Sequence, residues 1–308
     1  MKTFLGIEIG GSKLQLSVGD ESAKIIERCR FAVDPARGGE GIRAQIGEML
    51  PSLLKKFEVS AIAVGFGGPV DRASGRIARS HQIEGWSGFE LERWLRDLSG
   101  KPVLIDNDAN MGALGEGLHG AGKGFDPVFY ITLGSGVGGG LVVNGEIYHG
   151  DAPGESEIGH IRLERDGTIV EQRCSGWAVD RKIRELIKSG RPSVLVDLVG
   201  KATTGEARFL PKALEAKDAE AERILRETVD DLAFGLSHVI HLFHPAVIVI
   251  GGGLSLVGEP LRSAVANTLP RYIMKVFGQG PAVRLAGLGE DSVPVGCLAA
   301  AANSHARD

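Results

Sequence analysis

Two stretches of this sequence share one pattern, in which an apolar run, a glycine-rich turn and a second apolar run follow one another. The first is FLGIEIGGSKLQLSVGD at residues 4–20, and the second is VFYITLGSGVGGGLVVNGEIYHG at residues 128–150. Apolar runs joined by glycine turns are typical of β-hairpins. Because the pattern occurs once in each half of a 308-residue chain, it predicts a duplicated α/β architecture, with two lobes and a cleft between them.

Helical and strand periodicity continues after each hairpin. In the first half, the spacing predicts strands at 3–9, 13–20, 23–33, 60–68 and 102–110, and helices at 40–57, 89–101 and 110–118. In the second half, it predicts further strands at 246–253 and 283–288, and helices at 176–189, 193–214, 217–243, 259–273 and 293–302. We divide the chain into lobes at 1–120 and 121–308, and leave open whether the last helix packs back on the first lobe.

Charge and composition exclude several classes of protein. The chain has 35 Lys and Arg against 39 Asp and Glu, a balance that argues against nucleic acid or an anionic membrane as a partner. No apolar run approaches the roughly 20 residues that span a bilayer, and the N-terminus lacks a signal sequence, so we expect a cytoplasmic protein. Cys29, Cys174 and Cys297 are odd in number and far apart, which favours free thiols over a disulfide framework.

The glycine turns have two explanations that the sequence leaves open. Glycine is needed where φ is positive, as in a plain hairpin, or where a ligand approaches the backbone closely. The second turn favours the ligand, because two such turns at matching places in the two halves suggest a shared ligand. Their backbone N–H groups, together with Ser12, Lys13, Thr132 and Ser135, would suit a polyphosphate.

Two other phosphate motifs do not fit these turns. In GIEIGGSK a serine separates the last glycine from the lysine, so the turn is not a Walker loop. The segment GSGVGG at 134–139 matches a dinucleotide fingerprint in spacing, but the strand-like GLVVNGEIY follows it where that fingerprint requires a helix. A nicotinamide enzyme is therefore disfavoured.

Polar clusters adjoin two of the predicted elements. In IDNDAN at 105–110, acidic and amide side chains end an apolar strand, which is typical of a helix N-cap and also of a ligand site in an open α/β sheet. In GESEIGHI at 154–161, Glu155, Glu157 and His160 lie close together, and a spacing of three also suits a metal pair.

The order of these motifs resembles that of the ROK family of bacterial sugar kinases and related repressors. The motifs are GIEIGGSK, GFGGPVD at 65–71, IDNDANMGALGE at 105–116, TLGSGVGGG at 132–140, EIGH at 157–160 and VIVIGGGLS at 247–255. The resemblance covers nearly the whole chain. It implies the actin-like, hexokinase-like ATPase fold, with two ribonuclease-H-like lobes, and it implies a glucokinase-like or fructokinase-like enzyme that uses ATP and magnesium and forms a homodimer.

The resemblance also implies roles for individual residues. Asp108 would be the general base for the reacting hydroxyl of the sugar, and Glu8 would hold magnesium through water. The sugar would be bound by Gly67, Gly68, Asn107, Glu157, His160 and Glu171. The phosphates would be lined by Gly10, Gly11, Ser12, Lys13, Thr132, Gly134, Ser135 and Gly136, and the adenosine would be flanked by Gly251, Gly252 and Gly253.

The chain departs from the family pattern at three places. Many members hold a structural zinc through a cysteine cluster and the histidine of EIGH, but residues 161–173 contain no cysteine, so we expect no zinc. Glu8 stands where the first motif usually has Asp, and Gln82 stands where Asn is common before a tryptophan.

Two alternative functions stay open at this point. The family includes sugar-responsive repressors, which carry an N-terminal helix-turn-helix segment. Here the first motif starts at residue 4 and leaves no room for one, so we rank a regulator second. The third hypothesis is a sugar-binding protein without catalytic activity, and the only feature that suggests it is Glu8 in place of Asp.

Overall fold

Two compact units make up the chain in the computed structural model, which describes residues 2–78, 80, 83–151 and 156–306. The first unit comprises residues 1–124, 140–156 and 290–308, and the second comprises 125–139 and 157–289. The sequence division at residue 120 placed 140–156 and 290–308 in the second lobe. The structure groups both segments with the first unit.

The first sheet has the order β3-β2-β1-β4-β7. Its strands are β1 Thr3–Ile9, β2 Lys13–Asp20, β3 Ile25–Ala32, β4 Val59–Phe66 and β7 Val103–Asn107, while β5 Val70–Asp71 and β6 Arg76–Ile77 form a separate short pair. The first three strands are antiparallel, and β4 and β7 continue the sheet in parallel with β1. Three helices belong to the same part of the chain. Helix α1 Gly38–Lys56 lies between β3 and β4, α2 Leu91–Ser99 lies between β6 and β7, and α3 Asp108–His119 follows β7 directly.

The second sheet has the order β10-β9-β8-β11-β12, which repeats the order of the first. Its strands are β8 Val128–Leu133, β9 Val137–Val143, β10 Glu146–Ile147, β11 Val247–Gly251 and β12 Ala282–Leu285. Each glycine turn therefore joins the first two strands of its own sheet, between β1 and β2 and between β8 and β9. The predicted duplication is confirmed.

The second half of the chain contains seven α-helices in its described residues. They are α4 Val170–Cys174, α5 Gly176–Ser189, α6 Val194–Val199, α7 Leu210–Glu215, α8 Ala219–Phe243, α9 Glu259–Thr268 and α10 Ser292–His305. The prediction of one helix over 193–214 is wrong, because Gly200 and Gly205 adopt positive φ and divide the segment into α6, a short 3-10 turn and α7. In the described part of the chain, no helix has the length and apolar character needed to cross a membrane.

Helix α10 packs against β1, β4 and α3, all within the first unit. Two glycines allow the close contact with α3. A methyl group on Gly296 would overlap the Met111 carbonyl, and one on Gly115 would overlap the Ser292 carbonyl. The last helix is thus fixed on the first sheet, and it holds the helix that begins at Asp108.

We expect Gly296→Ala to lower the free energy of unfolding by about 1–3 kcal/mol, because the added methyl group must push two helix backbones apart. Gly47→Ala in α1 is the matched control. In the part of the chain that the structure describes, no atom lies within 4 Å of its added methyl group, so it should raise the free energy of unfolding by about 0.5–1 kcal/mol. Urea denaturation measures both changes, and a Gly296→Ala protein as stable as the original would contradict the α3–α10 contact.

Candidate functional site

The end of β7 and the start of α3 are joined by Asn107. Its side-chain Oδ1 accepts hydrogen bonds from the backbone N–H groups of Ala109 at 2.8 Å and Asn110 at 3.4 Å, which caps the helix. Its Nδ2 donates to the Gly68 carbonyl at 3.1 Å. Asn107 is therefore the helix cap that the polar cluster predicted, and it also ties α3 to the loop after β4.

Asp108 is the first residue of α3 and is half-buried. Gly67 lies beside it, because a Cβ on Gly67 would be 3.4 Å from Asp108 Oδ2. The Gly67 N–H also donates to the Ile9 carbonyl at 2.8 Å, just before the first glycine turn. Asp108, Gly67 and that turn consequently lie together at the end of the first sheet, where open α/β sheets bind ligands.

Asp106 fixes the backbone around this junction and is buried. Its Oδ1 accepts from the Asn107 N–H at 2.7 Å and from Asn110 Nδ2 at 2.9 Å. Its Oδ2 accepts from His149 Nε2 at 2.7 Å and pairs with Arg72 Nε at 3.3 Å. Sequence reasoning missed His149 and Arg72, and only their positions next to glycine-rich loops could have drawn attention to them.

The first glycine turn does not need glycine for its backbone conformation. Gly10 donates its N–H to the Lys13 carbonyl at 2.9 Å, which closes the turn. Neither Gly10 nor Gly11 is among the described glycines with positive φ. This excludes the left-handed conformation as the reason for the two glycines. A Cβ on Gly10 would lie 3.3 Å from the Lys13 carbonyl, so the fold of the turn itself favours glycine there, and close approach of a ligand stays a prediction for Gly11.

Glu8 lies at the base of this turn with both carboxylate oxygens engaged. Oε1 pairs with Lys13 Nζ at 3.1 Å, and Oε2 accepts from Gln15 Nε2 at 2.6 Å. Gln15 is fully buried, and its own Oε1 accepts from Arg30 Nε at 2.7 Å. The longer glutamate side chain is thus held in one place by a chain of hydrogen bonds.

The residues around Glu8 suit a magnesium ion that keeps several of its waters better than they suit a metal ion held entirely by protein side chains. The described residues contain no group of three or more His, Cys, Asp or Glu that could hold a metal ion. Magnesium usually keeps several waters and binds through one or two carboxylates together with substrate phosphates. A single carboxylate beside a glycine turn is compatible with that mode of binding.

Cys297 is fully buried on α10, where that helix packs against the first sheet. Its burial, and then the nearby carboxylates of Glu8 and Asp106, raise the pKa of the thiol well above its usual range. The group stays protonated, and a protonated thiol is a poor nucleophile and metal ligand.

The second glycine turn, in the second unit, is organised around Val137. The Val137 N–H donates to Glu171 Oε2 at 3.0 Å, and a side chain on Gly136 would collide with the same carboxylate. Gly134 donates its N–H to the Gly136 carbonyl at 3.0 Å. Glu171 therefore fixes the shape of the turn that includes Ser135 and follows Thr132.

The EIGH segment meets the same turn. Ile158–His160 forms a 3-10 turn, and Gly159 packs so closely on the Val137 carbonyl that a side chain there would collide with it. Glu157 and His160 are both exposed. The structure thus brings Glu157, His160 and Glu171 to one strand end, while Glu155 and Gln82 lie outside the described residues.

Three consecutive glycines stand at the end of β11, of which Gly251 is its last residue, and two of them are required by packing. Gly251 lies against the Tyr130 ring, and Gly252, with φ at +78°, lies against the backbone of Leu133. No atom of the described residues lies within 4 Å of a Cβ on Gly253. Of the three residues predicted to flank the adenosine, Gly253 alone has open space where a side chain would be.

The model of the ROK family matches residues 4–304. The chain belongs to the ROK family. It is 31% identical to a glucokinase of Thermotoga maritima over 282 residues, which are 89% of each chain. The crystal structure of a ROK glucokinase from Streptomyces griseus, in complex with glucose and AMPPNP, is similar with a TM-score of 0.84 at 29% identity, covering 98% of this chain and 99% of the other.

A ROK hexokinase from Thermus thermophilus has a TM-score of 0.82 at 27% identity, covering 99% of this chain and 100% of that one. These similarities extend over whole chains rather than over one motif. They confirm the predicted fold class, the duplicated ribonuclease-H-like fold of the actin-like and hexokinase-like ATPases.

We expect Glu171→Ala to lower the free energy of unfolding of this ROK protein by about 1–3 kcal/mol, because it leaves the Val137 N–H without its charged acceptor. Glu171→Gln keeps an acceptor oxygen and is the matched control. Amide hydrogen exchange at Val137 should accelerate in the alanine variant and stay slow in the glutamine variant. Equal exchange in both variants would show that Glu171 does not hold the turn.

Proposed function

We propose that this protein, a carbohydrate kinase of the ROK family, transfers the γ-phosphoryl group of ATP to a hydroxyl of a hexose or hexose derivative, with Asp108 as the general base. The observation that carries the proposal is the position of Asp108, which begins α3 beside Gly67 and the first glycine turn. The glucokinase similarity supports the choice of a hexose. Glucose, fructose, mannose, allose and N-acetylated hexosamines are the candidates.

The sugar would be held by polar groups of both units. In the first unit, Asn107 and the backbone of Gly67 and Gly68 would bind hydroxyl groups near Asp108. In the second unit, Glu157, His160 and Glu171 would do so. The support is that each set is anchored to a strand end by hydrogen bonds or close backbone packing.

The phosphates of ATP would lie against the two glycine turns. At the first turn, Gly10 and Gly11 leave the backbone accessible, and Ser12 and Lys13 add donors. At the second, the backbone from Thr132 to Gly136 would serve in the same way, and Gly251 to Gly253 would flank the adenosine. Magnesium, held through water by Glu8, would neutralise charge on the phosphates.

Phosphoryl transfer needs positioning and charge neutralisation more than covalent work by the protein. As the sugar oxygen bonds to the γ-phosphorus, the bond from phosphorus to the β,γ-bridging oxygen breaks and ADP leaves. Asp108 accepts the proton of the sugar hydroxyl in the same step. General-base assistance of this kind contributes roughly 10²–10⁴ in rate.

A coupled ADP-release assay with a panel of hexoses at constant MgATP tests the function. ADP release that depends on one hexose supports the kinase. Sugar binding by calorimetry without ADP release from any hexose would contradict it, and would favour the silent sugar-binding protein or the sugar-responsive regulator.

Asp108→Asn should reduce the turnover number by about 10²–10⁴, because a carboxamide cannot accept the proton, while sugar affinity and thermal stability change little. Asp97→Asn is the matched control, since Asp97 is a largely exposed aspartate on α2. Steady-state kinetics and calorimetric sugar titration on both variants give the comparison. Near-normal turnover of Asp108→Asn would remove Asp108 from the role of base.

Gly11→Val should weaken MgATP binding at least tenfold while sugar affinity survives, because the side chain would block approach to the turn but no positive φ is strained. A plain hairpin turn predicts a different result, with lower thermal stability and both ligands affected together. A folded Gly11→Val protein with unchanged nucleotide affinity would mean that the glycines serve the turn alone.

We also propose that the protein acts in the cytoplasm as a homodimer without structural zinc. The support is the resemblance to the family for the dimer and the scattered positions of the three cysteines for the absence of zinc.

A further inference from the structure

Trp177 is a large aromatic side chain exposed to solvent. It is 62% exposed, whereas Trp86 is fully buried and Trp94 is half-buried. Aromatic side chains gain a great deal from burial. An indole left in water next to a candidate ligand site is therefore a candidate contact for that ligand.

The backbone next to Trp177 is tied to the second glycine turn. Trp177 lies in the first turn of α5, which Ser175 caps by accepting from the Ala178 N–H at 3.1 Å. The preceding residue, Gly176, donates its N–H to the Gly134 carbonyl at 2.7 Å. Trp177 therefore directly follows a residue that is hydrogen-bonded to the turn proposed to hold the phosphates.

A second exposed apolar side chain belongs to the same region of the second unit. The turn Gly253–Val257 follows β11 and carries Leu256, which is 80% exposed. The 3-10 turn Glu206–Phe209 packs against both this turn and α5. It is anchored on α5 by the Ala207 N–H, which donates to Asp180 Oδ1 at 2.7 Å, one helical turn after Trp177.

Two glycines in the turns near Trp177 and Leu256 have empty space where a side chain would be. Among the described residues, no atom lies within 4 Å of a Cβ on Gly134 or on Gly253, so a ligand can approach both positions from that side, while the Gly134 N–H and carbonyl are already hydrogen-bonded within the protein. Gly252 packs directly on Leu133, which brings the turn after β11 to the residue that precedes Gly134. An accessible glycine backbone next to an exposed indole and an exposed leucine suits a flat ring attached to a phosphate chain.

We propose that Trp177 stacks on the purine base of the nucleotide and determines the preference for a donor that carries a base. This rests on the proposed function, because it takes ATP as the donor. The phosphates bind the glycine turn through the backbone, while the indole contributes affinity that depends on the base alone. Inorganic tripolyphosphate has the phosphate chain without the base, so it separates the two contributions.

The test compares Trp177→Ala and Trp177→Phe with the original protein, by calorimetric titration with MgATP and with magnesium tripolyphosphate. Leu242→Ala is the matched control, because Leu242 is an exposed apolar side chain of α8 in the same unit. Tryptophan fluorescence excited at about 295 nm gives an independent readout, since a stacked base quenches the indole.

Trp177→Ala should raise the Kd for MgATP about tenfold and leave the Kd for tripolyphosphate unchanged. Trp177→Phe should restore most of the ATP affinity while losing the ATP-dependent fluorescence change. Leu242→Ala should behave as the original protein does with both ligands.

Three results would overturn the inference: unchanged ATP affinity in Trp177→Ala, an equal loss of affinity for ATP and tripolyphosphate, or a change in sugar affinity alone. The proposed function can fail separately. If no hexose is phosphorylated but ATP quenches Trp177 and Trp177→Ala loses base-dependent affinity, the kinase proposal fails and the stacking role stands. If hexose phosphorylation is found and Trp177→Ala binds ATP normally, the stacking role alone fails.

Discussion

The direct passage from β7 into α3 is the constraint on which the candidate site depends. No residue separates the strand from the helix, because Asn107 ends one and caps the other. Both ends of its amide are used, one by the first turn of α3 and the other by Gly68. The backbone geometry therefore places the next side chain, that of Asp108, at the carboxyl end of β7. Helix α10 holds α3 in position through the close contact at Gly296.

The substitution of Glu for Asp in the first motif is accommodated by the surrounding hydrogen bonds. A longer side chain has more rotamers to lose, and a buried carboxylate needs donors. Gln15 and Lys13 supply them, and Arg30 satisfies the far end of the Gln15 amide. The structure thus offers a reason why Glu8 is compatible with an active site, although the substitution by itself suggested a catalytically silent protein.

Alternating patterns and glycine turns were enough to predict the two sheets, because strand pairing follows local apolar periodicity. The prediction of one helix over 193–214 was wrong because Gly200 and Gly205 interrupt the segment. Apolar periodicity carries no information about where φ is positive. The contact of His149 with Asp106 joins residues 43 positions apart, which no local pattern encodes. For Asn107, the sequence predicted the cap; its part in sugar binding, like the role of Asp108, stays a prediction.

We propose that the phosphoryl group passes from ATP to a hydroxyl of a sugar rather than to water. Phosphorus NMR of MgATP, the protein and each hexose in turn measures this directly, because ADP, inorganic phosphate and sugar phosphates give separate signals. We expect ADP and one sugar monophosphate in equal amounts with one or more hexoses, without inorganic phosphate. Inorganic phosphate as the sole product beside ADP, or unchanged ATP with every hexose, would contradict it.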